Sequence, residues 1–257
     1  MKKILFIISA AISILASCKK DDHNYGGIFK GPEKKFQQGK ADTWISLDKK
    51  GRPEKIAITI DAAAMNSLDP GNDEGGEEDM NSLSVAFPVK ASVTPFTHAL
   101  LEWNPHGHEP AGIYDKPHFD FHFYMQTEAE RLQVPLYEED SLKFLNYPAP
   151  GYFPATYFTI PGGVPQMGCH WADFTSPELN GQPFTQTFLY GSYNGNVTFY
   201  EPMITKAFID ANASFERSIP VPSKFKKSGY YPTKMELSTV QGAVTIILEE
   251  FVYRQAS

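Results

Sequence analysis

The eight residues Pro117 to Tyr124, PHFDFHFY, alternate without a break between two chemistries: His118, Asp120 and His122 at one parity, Phe119, Phe121 and Phe123 at the other. A period of two belongs to a β-strand, whose successive side chains point to opposite faces, and not to a helix of 3.6 residues per turn. The chain therefore contains a strand with an aromatic face fit for a core and a second face of ligand-type side chains. Each buried phenyl ring contributes roughly 1.5 to 3 kcal/mol. The rings also pin the register, because a one-residue slip would drive three polar groups into the core. The polar face is thereby held on a rigid platform.

The rest of the chain repeats the short-strand pattern. TWISLD and EKIAITID read as strands, with Ile56, Ile58 and Ile60 on one face, and SLSVAFP places Leu83, Val85 and Phe87 together. THALLEW forms the next strand before the histidine-rich segment. Asp61 caps a helical turn over AAAMNSL, and Thr127 with Glu130 forms a capping box for TEAERLQ. DSLKFLN reads as another short helix. Asn194-Gly195 between two apolar runs is a strong hairpin signal. TKAFIDA fits helix or strand, and GAVTIILEEFVY is a closing strand. Residues 147–183 are mostly loop, dense in proline and glycine. These features predict a mainly β fold, all-β or β-rich α+β: an antiparallel sandwich or barrel with a few short helices. A hydrophobic content of 42%, with 14% aromatic residues, supplies one core, and no internal repeat divides it.

The N-terminus sets the compartment. MKK followed by the apolar run ILFIISAAISIL is too short to span a bilayer and has the layout of a signal peptide over residues 1–17. LASC resembles a bacterial lipobox, which makes Cys18 the lipidation site and the membrane, through that anchor, a partner. KKDD after it resembles an export signal of surface lipoproteins and reads equally as a solvated linker, so the expected location is exported and lipid-anchored to the cell envelope, at the outer membrane, with periplasmic and outward-facing orientations both open. Residues 18–40 read as a polar tether reaching roughly 25 to 30 Å, and residues 41–257 as a single β-rich domain. Removing Lys2 and Lys3 leaves 21 basic against 30 acidic residues, which argues against nucleic acid as a partner. Once Cys18 is lipidated Cys169 is the remaining thiol, so no intrachain disulfide forms. The acidic, glycine-bearing stretch Asp69 to Ser82 fails the EF-hand spacing at Gly71 and Glu74 and reads as a solvated loop.

Four of the seven histidines, His106, His108, His118 and His122, fall within seventeen residues. Strand residues two apart share a face at about 6.6 Å and those four apart at about 13 Å, so His118 and His122 could share an ion only at full stretch. A simpler site takes one or two of His118, Asp120 and His122 and completes itself with His108, His170 or Glu201 from other segments. This set predicts a divalent metal ion, with zinc, iron, manganese and copper all compatible. The competing expectation is a hydrogen-bonded or solvent-facing polar network. Cys169 reads as a small buried residue rather than a ligand. No G-x-S-x-G elbow, H-E-x-x-H helix or phosphate-cradling glycine loop is present.

Taken together, WNPHGHEPAGIYDKPHFDFHFY, MGCHW, YGSYNG and EPMIT resemble a family of exported, uncharacterised bacterial proteins typified by a sigma-E-regulated protein of Thermus. The family pattern runs G-H-x-P, P-H-F-D-F-H-F-Y, M-G-x-H-W and E-P-M, matched here at Gly107 to Pro110, Pro117 to Tyr124, Met167 to Trp171 and Glu201 to Met203. His106 falls at a variable position of that pattern. The resemblance spans roughly residues 42–254 and implies a β-rich exported domain able to form a homo-oligomer, without an established activity. Two functional expectations stand beside each other. One is a metal-binding lipoprotein with His108, His122, His170 and Glu201 as ligands and His118 and Asp120 as ligands or supports. The other is a non-catalytic surface module that binds a glycan, small ligand or protein partner through aromatics such as Tyr152 and Trp171, with Phe153 and Tyr157 beside them.

Overall fold

The computed structural model describes residues 25–71 and 81–257; the leader, Cys18 and residues 72–80 of the acidic loop lie outside them. Two antiparallel sheets form a sandwich-like pair, and neither closes into a barrel. The first has the order β1 (Gly27–Phe36), β2 (Gly39–Leu47), β3 (Pro53–Ile60), β14 (Ala243–Glu249), β13 (Lys234–Val240), β11 (Ser214–Ser218). The second runs β4 (Ser82–Ala86), β5 (His98–Asn104), β6 (His118–Tyr124), β10 (Asn196–Thr205), β9 (Gln186–Tyr193), β8 (Cys169–Asp173), β7 (Tyr157–Thr159). A small ribbon of β12 (Gly229–Tyr231) and β15 (Val252–Arg254) stands apart.

The core fills the space between the two large sheets. Ile45, Ile56, Ile58, Ile60, Leu237 and Ile246 from one side meet Leu101, Phe119, Phe121, Phe123, Phe188 and Tyr200 from the other in one cluster. Phe119, Phe121 and Phe123 are all fully buried. The aromatic face of the alternating segment is thus the inner face of the second sheet. Its polar face is the outer face of the same sheet, and loops cover it.

The helices are short, and their ends follow local chemistry. The carboxylate of Asp61 accepts the Ala64 N–H to start α1 (Ala62–Met65), and Thr127 with Glu130 closes a reciprocal capping box on α2 (Glu128–Arg131). The segment DSLKFLN gives α3 (Ser141–Leu145), and Thr205 caps α4 (Lys206–Ala211), which resolves TKAFIDA as helix. Asn194 and Gly195 both take positive φ, 46° and 75°, as a two-residue hairpin turn requires. No helix among the described residues is long and apolar enough to cross a membrane.

The boundary between tether and domain needs correction. Residues 27–36, read from the sequence as part of the tether, form β1 and pair with β2. β1 is a solvated edge strand with little buried surface, and its register shifts between Lys30 and Glu33, around Gly31 and Pro32. Proline is tolerated at such an edge bulge, and the polar sequence masks the strand period. Lys34 also donates to the Ser84 carbonyl of the second sheet at 2.8 Å, so β1 helps tie the sandwich together. The folded domain begins well before residue 41.

Candidate metal centre

The outer face of the second sheet collects six ligand-type side chains into two groups of three. His122, His170 and Glu201 make one and His108, His118 and Asp120 the other, each with one ligand atom per residue lying within 4.8 Å of the others. The register explains the first group. Tyr200 faces Phe123 and Met203 faces Asp120 across β10 and β6, which puts Glu201 level with His122. His170 sits on β8 opposite Gly191 of β9, and Gly191 in turn sits opposite Phe199 of β10. A Cβ at Gly191 would come within 2.0 Å of the Phe199 ring, so the missing side chain leaves room for that ring. The Phe199 ring then packs against both imidazoles, 4.8 Å from His122 and 5.2 Å from His170.

In this first group His122 Nε2 lies 3.4 Å from Glu201 Oε1, and His170 Nε2 lies 3.5 Å from Glu201 Oε2. Both nitrogens of His122 and one oxygen of Glu201 are buried without a hydrogen-bond partner. Such unpaired atoms cost about 1 to 3 kcal/mol each. Burial pushes the imidazolium of His122 down to about 3 and that of His170 to about 4, so both rings are neutral. Burial, with Asp120 nearby, pushes Glu201 well above the usual carboxylate range. Neutral imidazoles with free lone pairs facing a carboxyl group that resists ionisation form a site poor in positive charge. A cation between them would complete it. Atoms bound at about 2.1 Å to one ion lie about 3.0 to 3.4 Å apart for octahedral or tetrahedral angles; here each imidazole lies 3.4 to 3.5 Å from a different Glu201 oxygen, and one ligand atom per residue lies within 4.8 Å of the other two.

The second group is organised by main-chain carbonyls. His118 Nδ1 contacts the Lys116 carbonyl at 2.6 Å and His108 Nδ1 contacts the Glu109 carbonyl at 2.7 Å. A carbonyl only accepts, so each Nδ1 carries the hydrogen and each Nε2 turns to Asp120. His108 Nε2 is 3.2 Å from Asp120 Oδ2, and His118 Nε2 is 3.1 Å from Oδ1 without the alignment of a hydrogen bond. Asn104 donates to Asp120 Oδ2 at 2.8 Å. Burial alone would raise the Asp120 carboxyl, but the close imidazoles outweigh it and hold the group well below its usual range. For His108 burial acts downward, and the Asp120 carboxylate reverses it to a net raised value. This group therefore has two self-consistent states, imidazolium paired with carboxylate or two neutral imidazoles sharing a cation with it. Metal-binding histidines commonly direct the second nitrogen to a carbonyl in this way.

His108 comes from the loop after β5, whose closure needs a glycine. Gly107 takes φ 73°, a Cβ there would meet the Tyr114 carbonyl oxygen at 2.2 Å, and the His108 N–H donates to that same carbonyl. All of these ligand candidates except the fully buried His118 line one cleft of about 780 Å³, walled by Tyr114, Ile160, Val164, Met167 and Leu189 and reached also by Glu102. Glu102 Oε2 lies 3.6 Å from His122 Nδ1. Asn104, Glu102, Tyr114 and Phe199 are site residues that sequence reasoning did not pick out. The outer parity of β5 carried a signal for the first two, because Glu102 and Asn104 sit opposite Asp120 and His118.

The remaining candidates lie elsewhere. His106 is on the rim of the acidic loop, with Nε2 3.2 Å from the Gly71 carbonyl. Cys169 is buried, its thiol donates toward the Phe144 and Gly162 carbonyls, and burial pushes it up to about 11, which disfavours the thiolate. A third acidic group, Glu216, Glu236 and Glu249, is already bridged by Lys55 and Lys234 at 2.6 to 3.2 Å. Trp171 stacks on Phe153 at 4.1 Å and donates its indole N–H to Ser192, and Tyr157 is buried. Tyr152 lines a separate cavity, whereas Trp171 lines neither that one nor the cleft. No protein-family model, no curated protein and no solved structure matches the chain.

Proposed function

We propose that this chain is an exported, lipid-anchored metalloprotein whose outer sheet face binds a divalent cation through His122, His170 and Glu201. The observation that carries the reading is the buried, unpaired nitrogens of His122 and oxygen of Glu201, in a trio with His170 whose ligand atoms all lie within 4.8 Å of one another. His108, His118 and Asp120 supply a second position in the same cleft. Three protein ligands leave coordination positions for water or a small molecule, the prerequisite of metal-assisted chemistry. Two imidazoles and a carboxylate suit zinc, iron, manganese or copper. The leader and the lipobox-like LASC support the export and anchoring parts of the proposal.

Elemental analysis of the untagged protein beside His170→Ala and His118→Ala tests the metal assignment. Near-stoichiometric metal that falls in His170→Ala while folding is retained supports it. Metal content that neither variant changes would overturn it. Incorporation of labelled fatty acid that disappears in Cys18→Ala supports the anchor, and label retained in that variant contradicts it.

A further inference from the structure

A second cavity, of about 460 Å³, shares no lining residue with the metal-site cleft. We infer that it is a binding site for an acidic saccharide, one that carries its charge as carboxylate or sulfate. The volume is that of a small-ligand pocket. The cavity forms where the Asn194-Gly195 hairpin and the start of β10 meet the segment 222–227 and the residues around α2 and α3.

Three features of the lining specify the ligand. The first is charge. Lys143, Lys224, Lys226 and Lys227 surround the cavity on a chain whose net charge is −7. Lys143 pairs with Asp140, but Lys224, Lys226 and Lys227 form no ion pair among the described residues. The one carboxylate in the lining, Glu130, is held by the Thr127 capping box and offsets part of the charge of Lys227. The local excess of cations asks for an anion.

The second feature is unpaired polarity. Thr198 and Gln126 both line the cavity, and the Thr198 hydroxyl and the Gln126 amide nitrogen are buried without a hydrogen-bond partner. Buried polar atoms are nearly always paired, so these two call for a hydroxyl-bearing ligand or water. Gln133, Asn194 and Asn196 add further amides to the wall. The third feature is an aromatic surface. Tyr152 and Tyr193 are half-buried in the wall, and Lys226 Nζ sits 4.6 Å from the Tyr152 ring centroid. Amides, hydroxyls and tyrosine faces read sugar hydroxyls and ring faces, while the lysines read the acidic group. Nucleic acid is disfavoured by the chain's overall charge.

The test is calorimetric titration of the full chain with three probes of matched length: a uronic-acid oligosaccharide, a sulfated oligosaccharide and a neutral one. Binding of an acidic probe at about 1 mM or tighter, weakened about tenfold or more in Lys224→Ala/Lys227→Ala, is expected, since each charge-assisted contact is worth about that factor. Which acidic probe binds distinguishes carboxylate from sulfate. Both lysines are exposed, so the double variant keeps its fold. Thr198→Val, a near-isosteric change, is expected to weaken binding without changing its salt dependence. Chelator treatment is expected to leave binding intact, which separates this site from the metal centre. Failure of both acidic probes to bind, equal binding of the neutral probe, or indifference to the lysine substitutions would overturn the inference, as would loss of binding on chelation.

Discussion

Replacing Glu201 with glutamine separates a metal ligand from a structural ion-pair partner. Glu201 is about 1% exposed, and its carboxyl is driven toward the neutral acid by burial. In the metal-free protein Glu201→Gln therefore exchanges one neutral polar group for another of almost the same shape. Its stability should change by less than about 1 kcal/mol. A charged partner in a buried ion pair would behave differently, since breaking such a pair costs about 3 to 5 kcal/mol. With metal the order reverses. Removing a supporting group alone costs about 10- to 100-fold in affinity, so losing the ligand itself should cost at least about 100-fold. At saturating metal that factor removes about 2.7 kcal/mol of ligand-linked stability. Cation binding must also displace the proton from Glu201, so wild-type affinity should rise with pH, and Glu201→Gln should lose that component. The assay is urea unfolding of both proteins, with chelator and with each candidate metal. A variant destabilised by about 3 kcal/mol or more in chelator would show that Glu201 works as an ionised structural partner, and the reasoning would fail.

Other predictions follow from the same geometry. His98 is buried, stacked 4.8 Å from Tyr124, and burial beside Arg131 pushes its imidazolium down to about 4. Its folded pKa lies below the unfolded value, so its contribution is complete above about pH 6.5 and is lost as pH falls from there toward 4, about 3 kcal/mol in all; His98→Gln should flatten acid unfolding across that window by about one proton. Gly191→Ala forces a methyl onto the Phe199 ring and should destabilise by about 1 to 3 kcal/mol while weakening metal binding, because Phe199 supports both imidazoles; thermal unfolding and metal titration check both effects. Phe121→Ala should cost about 3 to 5 kcal/mol, measured by denaturant unfolding, as expected for a fully buried ring. Cys169 should react with a thiol reagent only after denaturant is added, and rapid labelling of the native protein would contradict its burial.

The alternation at residues 117–124 was legible because β6 has the core on one face and the ligand cleft on the other, so each parity answers to one environment. Turns and caps were legible for a local reason: Asn194-Gly195, Asp61 and Thr127 act within three residues of themselves. β1 was not, because an edge strand that buries little carries no hydrophobic period. β8, which brings His170 to the site, was hidden in a proline- and glycine-rich stretch and is five residues long. The six ligand candidates were readable as residue types. Their division into two groups was not, since it depends on Glu201 lying level with His122 and on His108 returning through a loop. Nor does sequence tell which aromatics pack: Trp171 stacks on Phe153, while Tyr152 borders a cavity. The carbonyls of Lys116 and Glu109 that orient two imidazoles are main-chain groups and leave no trace in residue identity.

The most direct measurement is anomalous diffraction from crystals of the protein grown without chelator, collected above and below the absorption edge of the metal found by elemental analysis. A peak is expected about 2.0 to 2.2 Å from His122 Nε2, His170 Nε2 and a Glu201 oxygen. A metal-free map in which those three groups keep their positions, or a peak confined to another part of the molecule, would contradict it.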